Sequence, residues 1–206
     1  MKAVACRTSL REVLRWAQGT LVAVGVAMIA FCGLCWIDAS SFQRRARDQL
    51  SHRLHAAATA PRGAQLGSSH AAEGMVPGGV IGSIEISRLG MLAAIAEGTD
   101  TTTLRRAVGH IRGTGLPGHS ENVGLAGHRD TFFRPLKDVR QNDIITLTTL
   151  GGKFNYRVVS TRVVVPTETS VLDSGGTESL TLVTCYPFFY VGSAPDRFIV
   201  KAERID

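Results

Sequence analysis

Apolar and polar positions change period twice along the chain. Residues 20–37 read TLVAVGVAMIAFCGLCWI, with no charged side chain. Eighteen helical residues at about 1.5 Å each cover about 27 Å, close to the thickness of a bilayer's hydrocarbon core. Ala17 and Gly19 extend the run, and Trp16 and Trp36 sit near its two ends, as interfacial aromatics do. Residues 38–60 are charged but keep a helical period, with Phe42, Ala46, Leu50 and Leu54 four apart. This predicts a stem helix, continuing from the membrane or lying at its surface, that ends at Pro61. Residues 62–79 are rich in Gly, Ser, Ala and His, show no period, and read as a linker.

From Val80 onward the period falls to two. Residues 80–86 and 91–96 predict two strands around an Arg88-Leu89-Gly90 turn. Residues 101–108 predict a short helix capped by Asp100 or Thr101. Further strands are expected at 122–127, 144–149, 153–165, 179–184 and 197–203. Leu150-Gly151-Gly152-Lys153 is a hairpin signal, and the run after it is long enough to need a bend or bulge. Seven or eight short strands with little helix describe a mainly β domain, a closed barrel or a sandwich. The expected organisation is a basic tail at 1–18, a signal anchor at 19–37, a stem and linker at 38–78, and one domain at 79–206.

Charge changes the picture only in its placement. The 206-residue chain carries a formal +6, with a pI near 9.5. Residues 1–62 hold Lys2, Arg7, Arg11, Arg15, Arg44, Arg45, Arg47, Arg53 and Arg62 against Glu12, Asp38 and Asp48. The excess flanks the apolar run, where cations meet anionic lipid, so membrane lipid is an expected partner and nucleic acid is not. The apolar run exceeds a usual signal-peptide core and lacks a small-x-small cleavage site, which favours an uncleaved anchor. Its short N-terminal tail favours a cytoplasmic N terminus, with the domain outside.

Four cysteines occur: Cys6, Cys32, Cys35 and Cys185. Cys32 and Cys35 lie inside the apolar run, where they read as small apolar residues rather than a redox or metal pair. Cys6 lies across the membrane from the domain in that topology. Cys185 is then the only exported thiol, and it has no disulfide partner in its own chain.

Cys185 closes the run Thr181-Leu182-Val183-Thr184-Cys185, and Arg197 opens the next strand after a short loop. Upstream, Leu125-Ala126-Gly127-His128-Arg129-Asp130 ends another strand on an imidazole. A thiol, an imidazole and a guanidinium at strand ends are the parts of a cysteine acyl-transfer site. A free thiol is only a few per cent ionised at neutral pH, so a nearby cation or base matters. Singly, each residue reads more plainly as an inert buried cysteine, a satisfied histidine and a surface arginine.

Strand alternation points Thr184 away from the thiol, though it can still shape the site. Tyr186, Phe188, Phe189 and Tyr190 read either as groove lining or as aromatic core. Asp130 reads as a cap for the Thr131-Phe132-Phe133 turn. His110 and His119, with Cys185, fit no compact zinc-ligand spacing, and His52, His55 and His70 read as solvated.

These segments resemble the sortases, the membrane-bound cysteine transpeptidases, and most of all class D. The resemblance rests on Gly109-His110-Ile111, Gly113-Thr114, Leu116-Pro117-Gly118 and the run NVGLAGHRDTFF from Asn122 to Phe133. It continues through Thr181 to Pro187 and Val191 to Phe198, so it covers residues 79–206. It implies an eight-stranded β-barrel with short helices. It also implies cleavage of a Leu-Pro-x-Thr-Gly-like sorting signal between Thr and Gly, through a thioester resolved by an amine. The implied nucleophile is Cys185, with His128 transferring protons and Arg197 stabilising the oxyanion or the peptide; Thr184 and Tyr186 are candidate substrate contacts. No cofactor or metal is required by that chemistry. The implied partners are surface proteins with a C-terminal sorting signal and an amine from cell wall or pilin. A cysteine hydrolase and a non-catalytic tethered barrel are the other readings.

Overall fold

A computed structural model describes residues 10–59 and 78–205. A single helix, α1, runs from Leu10 to Thr59, so it begins inside the expected basic tail rather than after it. The linker expected at 62–79 lies almost wholly outside the described residues. The chain divides into two units, residues 1–40 and 41–206.

In the first unit α1 is long and apolar enough to cross a membrane. Leu21, Val22, Ile29, Phe31, Leu34 and Trp36 are all exposed, which water would penalise and lipid would not.

In the second unit the rest of α1 packs on the β domain. Ala46 is buried, and Phe42, Leu50 and Leu54 are half-buried along the face that the four-residue period marks out. Gln43 fixes the contact: its Oε1 accepts from the Ala94 N–H at 2.8 Å and its Nε2 donates to the Arg106 carbonyl at 2.7 Å. That Ala94 donor is open because the neighbouring short strand reaches only Ile95 to Glu97. Gln43 thus satisfies a sheet edge that would otherwise need water.

Eight strands close into a barrel: β1 (Val80–Ile86), β2 (Met91–Glu97), β3 (Val108–His110), β4 (Asn122–Ala126), β5 (Ile144–Thr149), β6 (Gly152–Val164), β7 (Ser179–Tyr186) and β8 (Asp196–Arg204). Their order around the barrel is β1-β2-β3-β4-β7-β8-β6-β5. The pairs β2–β3 and β4–β7 are parallel and the others antiparallel. The barrel of the two expected architectures is therefore the one adopted. Alternation fills it with Ile84, Ile86, Ile95, Val123, Leu125, Leu147, Leu180 and Leu182, together with Phe133 and Tyr156.

Most expected elements recur within a residue or two. The helix α2 spans Thr101–Arg106, and Asp100 caps it by accepting from the Thr102 and Thr103 N–H groups. The long strand β6 carries its irregularity between Val158 and Ser160. Strand β3 is the addition: its residues 108–110 divide between the end of the expected helix and unassigned chain.

Candidate active site

Strand register assembles the site. Strands β4 and β7 run parallel, with Leu125 beside Leu182 and Ala126 beside Val183. Beyond the strand, the Gly127 N–H donates to the Val183 carbonyl at 3.1 Å, which carries the pairing one residue further. The Thr184 hydroxyl donates to the Gly127 carbonyl at 2.8 Å. Both polar groups of Gly127 are thus tied to β7, and His128 leaves the strand alongside Cys185. Across the antiparallel β7–β8 pair, Cys185 stands opposite Arg197. Directly opposite residues project to the same face of a sheet, with Cβ atoms about 5 Å apart.

Alternation sets which face that is. Leu180 and Leu182 point into the barrel, and Thr184, two residues on, is buried. Cys185 has the opposite parity and is only half-buried, on the outer face near the rim. Cys185 is a free thiol.

The turn after His128 is compact. The His128 carbonyl accepts from the Phe133 N–H at 3.1 Å and from the Thr131 N–H at 3.4 Å. These bonds close the turn, so the capping role expected of Asp130 falls to a backbone carbonyl, and Asp130 is exposed. Gly127 is required there for space: a Cβ would lie 2.8 Å from the Phe133 ring.

Arg197 Nη1 donates to the carbonyls of Asp196 at 2.9 Å and Ala194 at 3.3 Å. Arg129, next to His128, donates to the carbonyls of Pro187 at 3.0 Å, Tyr190 at 2.8 Å and Gly192 at 3.2 Å. Among the described residues neither guanidinium forms an ion pair with a carboxylate. Both guanidiniums therefore bond to backbone carbonyls rather than to carboxylates.

The aromatics after the thiol divide into two groups. Tyr186 stacks on Phe198 with centroids 6.2 Å apart, and Phe188 meets Phe198 edge-on at 5.3 Å. Phe189 and Tyr190 are exposed at the tip of the loop.

The other histidines lie elsewhere. His110 is buried at the end of β3, with Nδ1 2.8 Å from Glu97 Oε2 and Nε2 donating to the Gly115 carbonyl at 3.0 Å. His119 is exposed in a loop, with Nδ1 donating to the Leu116 carbonyl at 3.2 Å. Among the described residues no three His, Cys, Asp or Glu side chains are grouped to hold a metal ion.

Register thus brings the chain at Cys185, His128 and Arg197 to neighbouring strand ends, with the buried Thr184 bonded to Gly127 between them. Sequence reasoning passed over Arg129. Its signal was its place beside His128, because a long cation at a turn can reach the carbonyls of a neighbouring loop.

A sortase domain model matches residues 84–205. Sortase D of Bacillus subtilis is 38% identical over 125 residues, covering 60% of this chain and 63% of that protein. Sortase SrtE1 of Streptomyces coelicolor is 33% identical over 149 residues, covering 63% and 42%. The matches therefore span less than two thirds of these curated relatives. Among solved structures, the Clostridium perfringens sortase D5 transpeptidase superposes with a TM-score of 0.66 at 27% identity, covering 81% of this chain and 99% of that one. With a domain match over nearly the whole barrel and solved sortases of the same closed architecture, the chain belongs to the sortase family.

Proposed function

We propose that the protein is a membrane-anchored cysteine transpeptidase that cleaves a Leu-Pro-x-Thr-Gly-like sorting signal between Thr and Gly. The observation that supports this reading is the register: Cys185 stands opposite Arg197 in β7–β8, and the parallel β4–β7 pairing, extended to Gly127, brings the backbone at His128 alongside the end of β7.

Cys185 gives its thiol proton to His128, and its Sγ attacks the Thr carbonyl carbon. The oxyanion that forms is met by Arg197, whose Nη1 is held by its own loop. The C–N bond to Gly then breaks, and the departing amine takes its proton from His128. This leaves a thioester on Cys185. An incoming amine attacks the thioester carbon and gives a proton to His128, and the thiolate leaves. Thr184 acts through Gly127, because its hydroxyl is already committed to that carbonyl. Tyr186, half-buried against Phe198, borders the peptide groove.

The acceptor amine comes from cell wall or pilin, and the substrates are surface proteins bearing the signal. The apolar half of α1 crosses the membrane with its N terminus in the cytoplasm and the barrel outside. The proposed organisation is a basic tail at 1–18, the anchor at 19–37, a stem and linker at 38–78, and the catalytic domain at 79–206. Sharing one surface with an anchored substrate raises the effective concentration of both.

The test is peptide cleavage with and without an added amine, in wild type and Cys185→Ala. Amine-dependent ligated product that Cys185→Ala abolishes is expected. Hydrolysis unaffected by the amine would assign a hydrolase. Full activity in Cys185→Ala would remove the thiol from the mechanism.

A further inference from the structure

Two guanidiniums hold the loop that joins β7 to β8. Residues 187–195 have no helix or strand, yet five carbonyls in or bordering the loop are tied down. Pro187, Tyr190 and Gly192 accept from Arg129, and Ala194 and Asp196 accept from Arg197. Arg129 also lies over the Tyr190 ring, 5.8 Å from its centroid. A second cation from the same side, Lys137, lies 5.9 Å from the Phe189 ring centroid. The segment from Arg129 to Lys137 is the one that follows His128.

We infer that Arg129 is a positioning residue that ties the His128 turn to the β7–β8 loop, and through that loop orders the peptide-binding side of the site. This inference rests on the proposed transpeptidase reading. Three charge-assisted bonds from one planar group fix a loop in a way a single ammonium cannot. Arg197 anchors the far half of the same loop and Phe188 packs its start on Phe198, so the stretch between them relies on Arg129. Releasing it frees residues 189–192, including the exposed Phe189, Tyr190 and Val191. The thiol stays in its strand, because β7 is held by β4 and β8. Losing Arg129 therefore weakens peptide capture more than it weakens the thiol.

The experiment compares wild type, Arg129→Lys and Arg129→Gln on the full chain in detergent. Hydrogen exchange should rise at residues 189–192 in Arg129→Gln, with strand amides of β4, β7 and β8 unchanged. The KM for a sorting-signal peptide should rise about tenfold, equivalent to about 1.4 kcal/mol, within the scale of one charge-assisted hydrogen bond. Alkylation of Cys185 by iodoacetamide should stay within about twofold of wild type, which a general disturbance of the barrel would not allow. Arg129→Lys should fall between the two. Unchanged loop exchange, or a loss confined to kcat, would overturn the inference. Loop exchange is read without peptide turnover, so it stands even if Cys185→Ala keeps activity and the transpeptidase reading fails.

Discussion

The two ends of the barrel use the same residue types differently. Where β4 and β7 begin, Glu178 and Asn122 each hold several polar groups of the fold. Glu178 Oε1 accepts from Arg204 at 2.7 Å, from the Tyr156 hydroxyl at 2.7 Å and from the Gly118 N–H at 3.1 Å. Asn122 accepts from the Thr181 and Ser179 hydroxyls and donates to the Leu172 carbonyl. Where the same strands end, Arg197 and Arg129 bond only to backbone carbonyls, and among the described residues the Cys185 thiol and the His128 ring have no hydrogen-bonding partner. A closed network is a structural solution because each group's charge or hydrogen bond is used up within the fold. Groups held in place from behind, with their reactive atoms uncommitted, are what a passing substrate needs.

That contrast is open to tests at both ends. His128→Gln should lower kcat/KM about 10³-fold, the scale of a lost general acid–base, with the melting temperature unchanged. Loss of the fold in that variant would make His128 structural instead. At the other end, Glu178→Ala should cost about 2 kcal/mol by chemical denaturation, since it removes the acceptor that half-buried Arg204 and fully buried Tyr156 share. Cys185 alkylation should not change there. Thr184→Val should affect both properties mildly, at about 1 kcal/mol of stability and a several-fold drop in kcat, because the lost hydroxyl positions Gly127.

The smallest effect is in pH. Burial first, then its bond to Glu178, pushes the Tyr156 phenol well above its usual range. The folded state therefore holds that proton more tightly than the unfolded chain. The resulting stability is fully present below about pH 10, the unfolded phenol's value, and is lost as pH rises beyond it. Tyr156→Phe should remove that alkaline loss, so denaturation curves of the two proteins should converge as pH rises past 10. A constant gap would show that Tyr156 does not titrate with the fold.

Much of this was legible because alternation is a local signal. Strand β5 and the ends of β7 and β8 follow directly from period-two runs, and the thiol and guanidinium sit at ends such runs define. Strand β3 was not legible: three residues show no period, and they become a strand only by pairing with Ile95–Glu97. Gly109 admits that packing, since a Cβ there would lie 2.3 Å from the Gly98 carbonyl oxygen. Gln43 and Arg129 were missed for a related reason. Each reaches backbone groups far along the chain, and nothing near them in sequence marks those acceptors or donors as open. The start of α1 at Leu10 was missed because Arg11, Glu12 and Arg15 read as a charged tail, although such residues are good helix formers.

The most direct test of the central claim is intact-mass analysis after mixing the protein with a sorting-signal peptide in the absence of amine. The account predicts an adduct equal to the peptide's N-terminal acyl portion, located on Cys185, absent in Cys185→Ala and discharged by an added amine as ligated product. Cleavage of the peptide by Cys185→Ala at the wild-type rate, with no adduct at any time, would contradict it.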